Sequence, residues 1–113
     1  MPKVSLDFCE TVYDMVQLIP KGFVLGYKDV AHAIGYPKRA RHVGFALSVV
    51  PADRTNINRF GCVPWWRVIR SDGSIAMQGS ITRGRLQKKI LQEENIVFHG
   101  QKVAMKIHRW KQE

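Results

Sequence analysis

Two short amphipathic segments joined by a glycine-containing turn, within Lys28 to Val49, constrain the fold of this chain more than any other feature. Lys28 to Ile34 puts Val30, Ala31 and Ile34 on one helical face, and Gly35 stops it. After Tyr36-Pro37, Lys38 to Val49 puts Ala40, Val43, Gly44 and Leu47 on one face of a second helix. Joined by a glycine-containing turn, the two form a helix-turn-helix pattern. Upstream, Phe8, Val12, Met15, Val16 and Ile19 recur at three- and four-residue steps, which predicts an amphipathic helix from Asp7 to Ile19 ended by Pro20-Lys21-Gly22. Phe23-Val24-Leu25 then reads as a short extended piece.

The second half of the chain is more mixed. Pro51 to Asn58 is polar and turn-rich, a loop, and Arg67 to Ile75 reads as an extended pair turning at Ser71-Asp72-Gly73. Arg83 to Glu94 is rich in helix formers, with Leu86, Ile90 and Leu91 directed inward. Ile96-Val97-Phe98 and Val103-Ala104-Met105 flank His99 to Lys102 as a hairpin. The expected fold is a small α+β domain, mainly helical, with winged-helix character, occupying residues 1–113 as one unit.

Charge narrows the partners. Eighteen Lys and Arg against nine Asp and Glu leave +9, a balance that usually signals a polyanion, nucleic acid most often. The cations are spread over the chain and not gathered in a tail, which suits a folded binding face. No stretch approaches the roughly 20 apolar residues of a membrane span. Asp7 and Glu10 interrupt any apolar signal core, so a reducing cytoplasm is expected, with Cys9 and Cys62 as thiols. Two cysteines and the histidines at 32, 42, 99 and 108 show no metal-binding spacing, and neither metal nor cofactor is expected.

The pentapeptide Pro64-Trp65-Trp66-Arg67-Val68 resembles the Pro-Cys-His-Arg-Val signature of the O6-alkylguanine-DNA alkyltransferases. The likeness extends upstream through Ile19-Pro20-Lys21-Gly22, Gly26 to Ala31, and Gly35 to Gly44, where Pro37, Ala40, Arg41, Val43 and Gly44 match a Pro-x-x-Ala-Arg-x-Val-Gly stretch. Downstream it takes in Ser71-Asp72-Gly73 and Glu93-Glu94-Asn95, so that it spans roughly Phe8 to Ile96. In that alignment Trp65 replaces the alkyl-accepting cysteine and Trp66 the base histidine. A thiolate attacks an alkyl carbon with help from a base, whereas indole offers only an N–H donor. The chain therefore resembles the alkyltransferase-like proteins, in which tryptophan stands for that cysteine. The fold implied is that of the C-terminal domain of the alkyltransferases.

The resemblance implies a sensor of O6-alkylguanine in duplex DNA that flips the lesion, cannot repair it, and flags it for nucleotide excision repair proteins. It implies a monomer, cytoplasmic and nucleoid-associated, or nuclear in a eukaryote. Arg41 would enter the base stack from the recognition helix, a planar cation suited to stacking and phosphate neutralisation. Arg39 is a further cation there, and small Ala40 and Gly44 would let that helix approach the groove floor. Tyr27 would meet the phosphate beside the flipped nucleotide, or simply cover the core edge. Trp65 would pack on the alkyl group, with Val68 in the same pocket.

Other positions leave alternatives open. Trp66 is either a base contact or a core aromatic; relatives of this kind usually keep histidine there, which makes Glu94 a structural residue. Arg67 is read as scaffold. Gln78 stands where some such proteins carry an arginine, and Gly79 and Ser80 resemble the loop that closes over the base. The family's linker before the signature is usually shorter, so Pro51 to Asn58 reads as an insertion. Two other functions compete: a methyltransferase with a displaced Cys62, and a plain helix-turn-helix regulator. Cys62 lies three residues before Trp65, about 10 Å along an extended chain and too far for the same carbon.

Overall fold

The computed structural model describes residues 5–50, 57–58, 61–76 and 81–111. Helix α1, Leu6–Val16, begins where the Ser5 hydroxyl accepts the Phe8 N–H at 3.1 Å, with Asp7 in its first turn. Its periodic face (Phe8, Val12, Met15 and Val16) is buried, as the spacing predicts. The helix stops three residues before Ile19; the chain then turns through Gly22, at φ 93°. The Tyr13 hydroxyl donates to the Ala46 carbonyl at 2.7 Å and ties α1 to the helix-turn-helix.

That motif is formed by α2, Tyr27–Ala33, and α3, Ala40–Ser48. Gly35, at φ 87°, takes the left-handed conformation that ends α2, and the Tyr36 N–H returns to the Ala31 carbonyl at 2.9 Å. Val43, Ala46 and Leu47 bury one face of α3. Just before α2, strand β1 (Leu25–Gly26) pairs in parallel with β4 (Val68–Ile69), Leu25 opposite Val68. A Cβ on Gly26 would lie 2.7 Å from Ser71 Oγ and 2.9 Å from its Cα, so only glycine lets the helix start come this close. This single pairing joins the helix-turn-helix to the segment just beyond Trp65.

The second half departs from the sequence reading in three places. Ile57–Asn58 (β2) pairs with Gly61–Cys62 (β3), so the loop expected from Pro51 to Asn58 ends early; 51–56 lie outside the described residues. Trp65–Arg67 is a 3₁₀ turn, and β4 finds its partner in β1 and not across the Ser71–Gly73 turn. That turn does form, with Gly73 N–H on the Arg70 carbonyl at 2.9 Å, but Ser74 bridges to Lys102. Helix α4, Ile81–Glu93, buries Gly84, Gln87, Ile90 and Leu91. The expected hairpin is present as β5 (Phe98–His99) and β6 (Lys102–Val103). Its last bond runs from the Ala104 N–H to the Val97 carbonyl at 2.9 Å, and Met105, expected in the strand, instead begins a short helix, α5, Met105–His108. The architecture is α+β and mainly helical, with two-stranded sheets among the described residues.

Candidate nucleic-acid interface

Trp65 and Trp66 are neighbours on one 3₁₀ turn, yet they do different things. Trp66 Nε1 donates to Glu94 Oε2 at 3.0 Å. Arg67 grips the same carboxylate through Nε on Oε1 (2.9 Å) and Nη2 on Oε2 (2.7 Å), and its Nη1 donates to the Ile19 carbonyl at 2.9 Å. From the other side, Gln87 Nε2 donates to the Trp66 carbonyl at 3.1 Å and the Val68 carbonyl at 2.9 Å. Paired charges and satisfied amides of this kind fix a backbone where an unpaired group would be costly. Glu94 is accordingly a structural anchor, and Arg67 is the scaffold residue that the sequence suggests.

Trp65 carries none of that load. Its ring meets Trp66 edge to face, at 6.0 Å and 86°. It is 4% exposed, and its Nε1 makes no hydrogen bond within the described residues. The Arg83 guanidinium lies 4.0 Å over the ring centroid, and its Nη2 also donates to the Leu47 carbonyl at 3.0 Å. Burial pulls the Arg83 pKa down, opposed by Tyr27. Burial pushes the Tyr27 phenol up, opposed by Arg70 and then Arg83.

Trp65 forms part of the wall of a cavity of ≈ 530 Å³. One side is the helix-turn-helix, with Tyr27, Lys28, Ala40, Arg41, Gly44, Leu47 and Ser48; the other is Trp65, Arg70, Ser71, Asp72, Ala76, Arg83 and Gln87. Tyr27 packs beside Gly44, where a Cβ would sit 3.8 Å from the ring in ordinary contact. The volume is within the range of small-molecule pockets, and the walls combine apolar Ala40, Leu47, Trp65 and Ala76 with cationic Lys28, Arg41, Arg70 and Arg83. No cysteine or histidine is among the described residues lining it.

Of the residues selected from the sequence, the structure brings Tyr27, Ala40, Arg41, Gly44 and Trp65 to one cavity. Arg39 is the N-cap residue of α3, exposed and 5.2 Å over the Tyr36 ring, away from the cavity wall. Trp66 and Val68 are corrections: neither lines the cavity, since Trp66 points its N–H at Glu94 and Val68 is wholly buried in the β1–β4 pairing. Gln78, Gly79 and Ser80 lie outside the described residues. Sequence reading missed Arg83, Arg70, Lys28 and Gln87. Arg83 sits near the start of α4, where an arginine has no local signature; only the packing of α4 on the 3₁₀ turn makes it a neighbour of Trp65.

The sequence family described as 6-O-methylguanine DNA methyltransferase, DNA binding domain, matches residues 7–96. A DNA base-flipping protein of Vibrio parahaemolyticus is 36% identical over 106 residues, covering 92% of this chain and 96% of that protein. Alkyltransferase-like protein 1 of Schizosaccharomyces pombe is 36% identical over 93 residues, covering 82% of this chain and 80% of that protein. Among solved structures, S. pombe Atl1 in complex with damaged DNA containing O6-carboxymethylguanine superposes with a TM-score of 0.76 at 31% identity, over 97% of this chain and 100% of that one.

Proposed function

The chain belongs to the family of the 6-O-methylguanine DNA methyltransferase DNA-binding domain, and on that footing we propose that it recognises DNA damage without repairing it, binding O6-alkylguanine in duplex DNA by base flipping and flagging it for nucleotide excision repair. The observation that carries the reading is that Trp65, which the resemblance puts at the family's acceptor position, lines the cavity beside the helix-turn-helix. An indole there cannot accept an alkyl group, and at 4% exposed under the Arg83 stack it gives the cavity a small apolar surface of fixed position.

The steps follow from the positions of the side chains. The exposed start of α3 presents Arg41 to the duplex, with small Ala40 and Gly44 beside it. Inserting Arg41 fills the gap left by the extruded base, and unstacking costs a few kcal/mol that contacts to deformed DNA must offset. Tyr27, on the cavity wall, would meet the backbone of the rotated nucleotide. Once bound, the lesion keeps its alkyl group, so the outcome is a held and deformed duplex. That state is the signal an excision-repair protein would read.

Matched duplexes, one with O6-methylguanine and one unmodified, test this by fluorescence anisotropy at fixed salt, followed by assay of the DNA for methyl loss. Tighter binding of the lesion with the methyl group retained is expected, and Trp65→Ala and Arg41→Ala should each erode the preference at least tenfold, the scale of ~1.4 kcal/mol. Methyl transfer to protein would instead make this an enzyme with a relocated acceptor. Equal affinity for both duplexes would leave only a general DNA-binding domain.

A further inference from the structure

A second, larger groove of ≈ 1150 Å³ adjoins the Trp65 cavity at the start of α3, where Lys28, Ala40 and Arg41 line both. Its other walls come from His32 on α2, Lys38 in the turn before α3, and the C-terminal Arg109, Trp110 and Lys111. That C-terminal segment is held in place. The Val24 N–H donates to the His108 carbonyl and the Trp110 N–H to the Val24 carbonyl, each at 2.9 Å. Arg109 also pairs with Asp29, the carboxylate that caps α2 by accepting the Gly26 N–H at 2.9 Å. Among the described lining residues, five are Lys or Arg and Asp29 is the lone carboxylate, already engaged by Arg109 and Gly26.

We propose that this groove is a second nucleic-acid contact, taking the sugar–phosphate backbone of DNA beside the extruded base, with Lys38 and Lys111 neutralising phosphates and half-buried Trp110 as an apolar wall. The inference rests on the proposed function, in which duplex DNA crosses the start of α3. Charge complementarity selects a polyanion. Continuity selects DNA over an acidic protein surface, since one strand can occupy both openings and share Arg41 and Lys28. The strapped C-terminus thus serves as a fixed basic wall for the duplex, where a loose basic tail would lose entropy on binding.

Salt titration of DNA affinity is the test, using the whole chain, an O6-methylguanine duplex and its unmodified match. Lys38→Gln and Lys111→Gln change exposed side chains, and each should lower the slope of log affinity against log salt by about one. At about 0.15 M salt each should cost about fivefold in affinity, and the pair about thirtyfold, on both duplexes alike. Lys89→Gln, on α4 and lining neither cavity, should leave the slope within about 0.3 of the original. A slope unchanged in both single variants would overturn the proposal, as would an equal fall for Lys89→Gln. Loss of lesion preference in the unmutated protein would instead sink the damage reading, and the slopes would still report on the groove.

Discussion

Removing Glu94 should damage the fold while sparing lesion discrimination, and the size of the damage can be worked out. Its carboxylate accepts three hydrogen bonds, one from Trp66 and two from Arg67. The Arg67 and Glu94 side chains are 16% and 9% exposed, so the pair is far more buried than a surface ion pair. Breaking a buried pair by deleting one partner costs about 3–5 kcal/mol, and the remaining exposure of Arg67 argues for about 3. Unfolding entropy of about 0.24 kcal/mol per kelvin for a chain of this size converts that to a melting point about 12 °C lower for Glu94→Ala. Trp66→Phe removes one bond and leaves Arg67 on the carboxylate, so about 2 kcal/mol and about 8 °C are expected. Differential scanning fluorimetry with urea melts provides the readout, and a double-mutant cycle with Arg67→Ala should show coupling of at least about 1 kcal/mol. A Glu94→Ala cost below about 1 kcal/mol would put the pair with ordinary surface bridges and refute the anchoring role. A selective loss of lesion preference at intact stability would refute it from the other side.

Three further outcomes rest on single contacts. Gly26→Ala should cost about 1–3 kcal/mol in urea melts, because its Cβ would meet the Ser71 backbone at 2.9 Å and force β1 away from β4; an unchanged midpoint would show that the turn yields freely. Arg83→Ala gives up the stack on Trp65 and the bond to Leu47, a loss of about 1–2 kcal/mol that lowers the melting point by about 4–8 °C. For Tyr13, burial first and Cys9 second push the phenol from 10.0 up to about 12. A pKa raised in the folded state gives stability that is complete below the unfolded value of 10.0 and is lost as pH rises through about 12. Tyr13→Phe should flatten that alkaline decline, and a decline equally steep in the variant would exclude Tyr13 as its source.

How much of this was legible depends on whether a residue's role is local or set by packing. The helix-turn-helix was readable because Gly35 and the spacing of Val30, Ala31, Val43 and Leu47 act within a turn or two of chain. The short helix α5 was not readable: Val103-Ala104-Met105 looks like strand, but after the Ala104 N–H bonds the Val97 carbonyl, the Val97 N–H goes to His108 Nε2 at 2.9 Å, a contact only the folded chain shows. The β1–β4 pairing joins residues 43 apart through two residues each, too little sequence to carry a periodic signal. In the site, Tyr27, Arg41 and Trp65 were found through a family pattern, whereas Arg83 and Arg70 became visible only when α4 and the Ser71 turn were placed against Trp65.

The two neighbouring tryptophans have separate roles, one in the scaffold and one on the cavity wall. Every anchor of the 3₁₀ turn acts on something other than the Trp65 side chain: Gln87 holds the carbonyls of Trp66 and Val68, and Arg67 spans Ile19 and Glu94. Replacing Trp65 therefore leaves the bonds that hold the turn in place, at the cost of its buried ring and the Arg83 stack. Replacing Trp66 is different. Any replacement there must still satisfy or release the buried Glu94, and the indole N–H does so at 3.0 Å, so the second tryptophan keeps the scaffold intact while the first lines the pocket. Histidine substituted for Trp66 should therefore be tolerated if a ring nitrogen reaches Glu94, and leucine should destabilise by about as much as Trp66→Phe or more, since both remove the same one of the carboxylate's three bonds and leucine also loses ring packing. Thermal melts of the Trp66→His and Trp66→Leu variants decide this, and equal melting points for the two would show that the Glu94 bond is not what position 66 supplies.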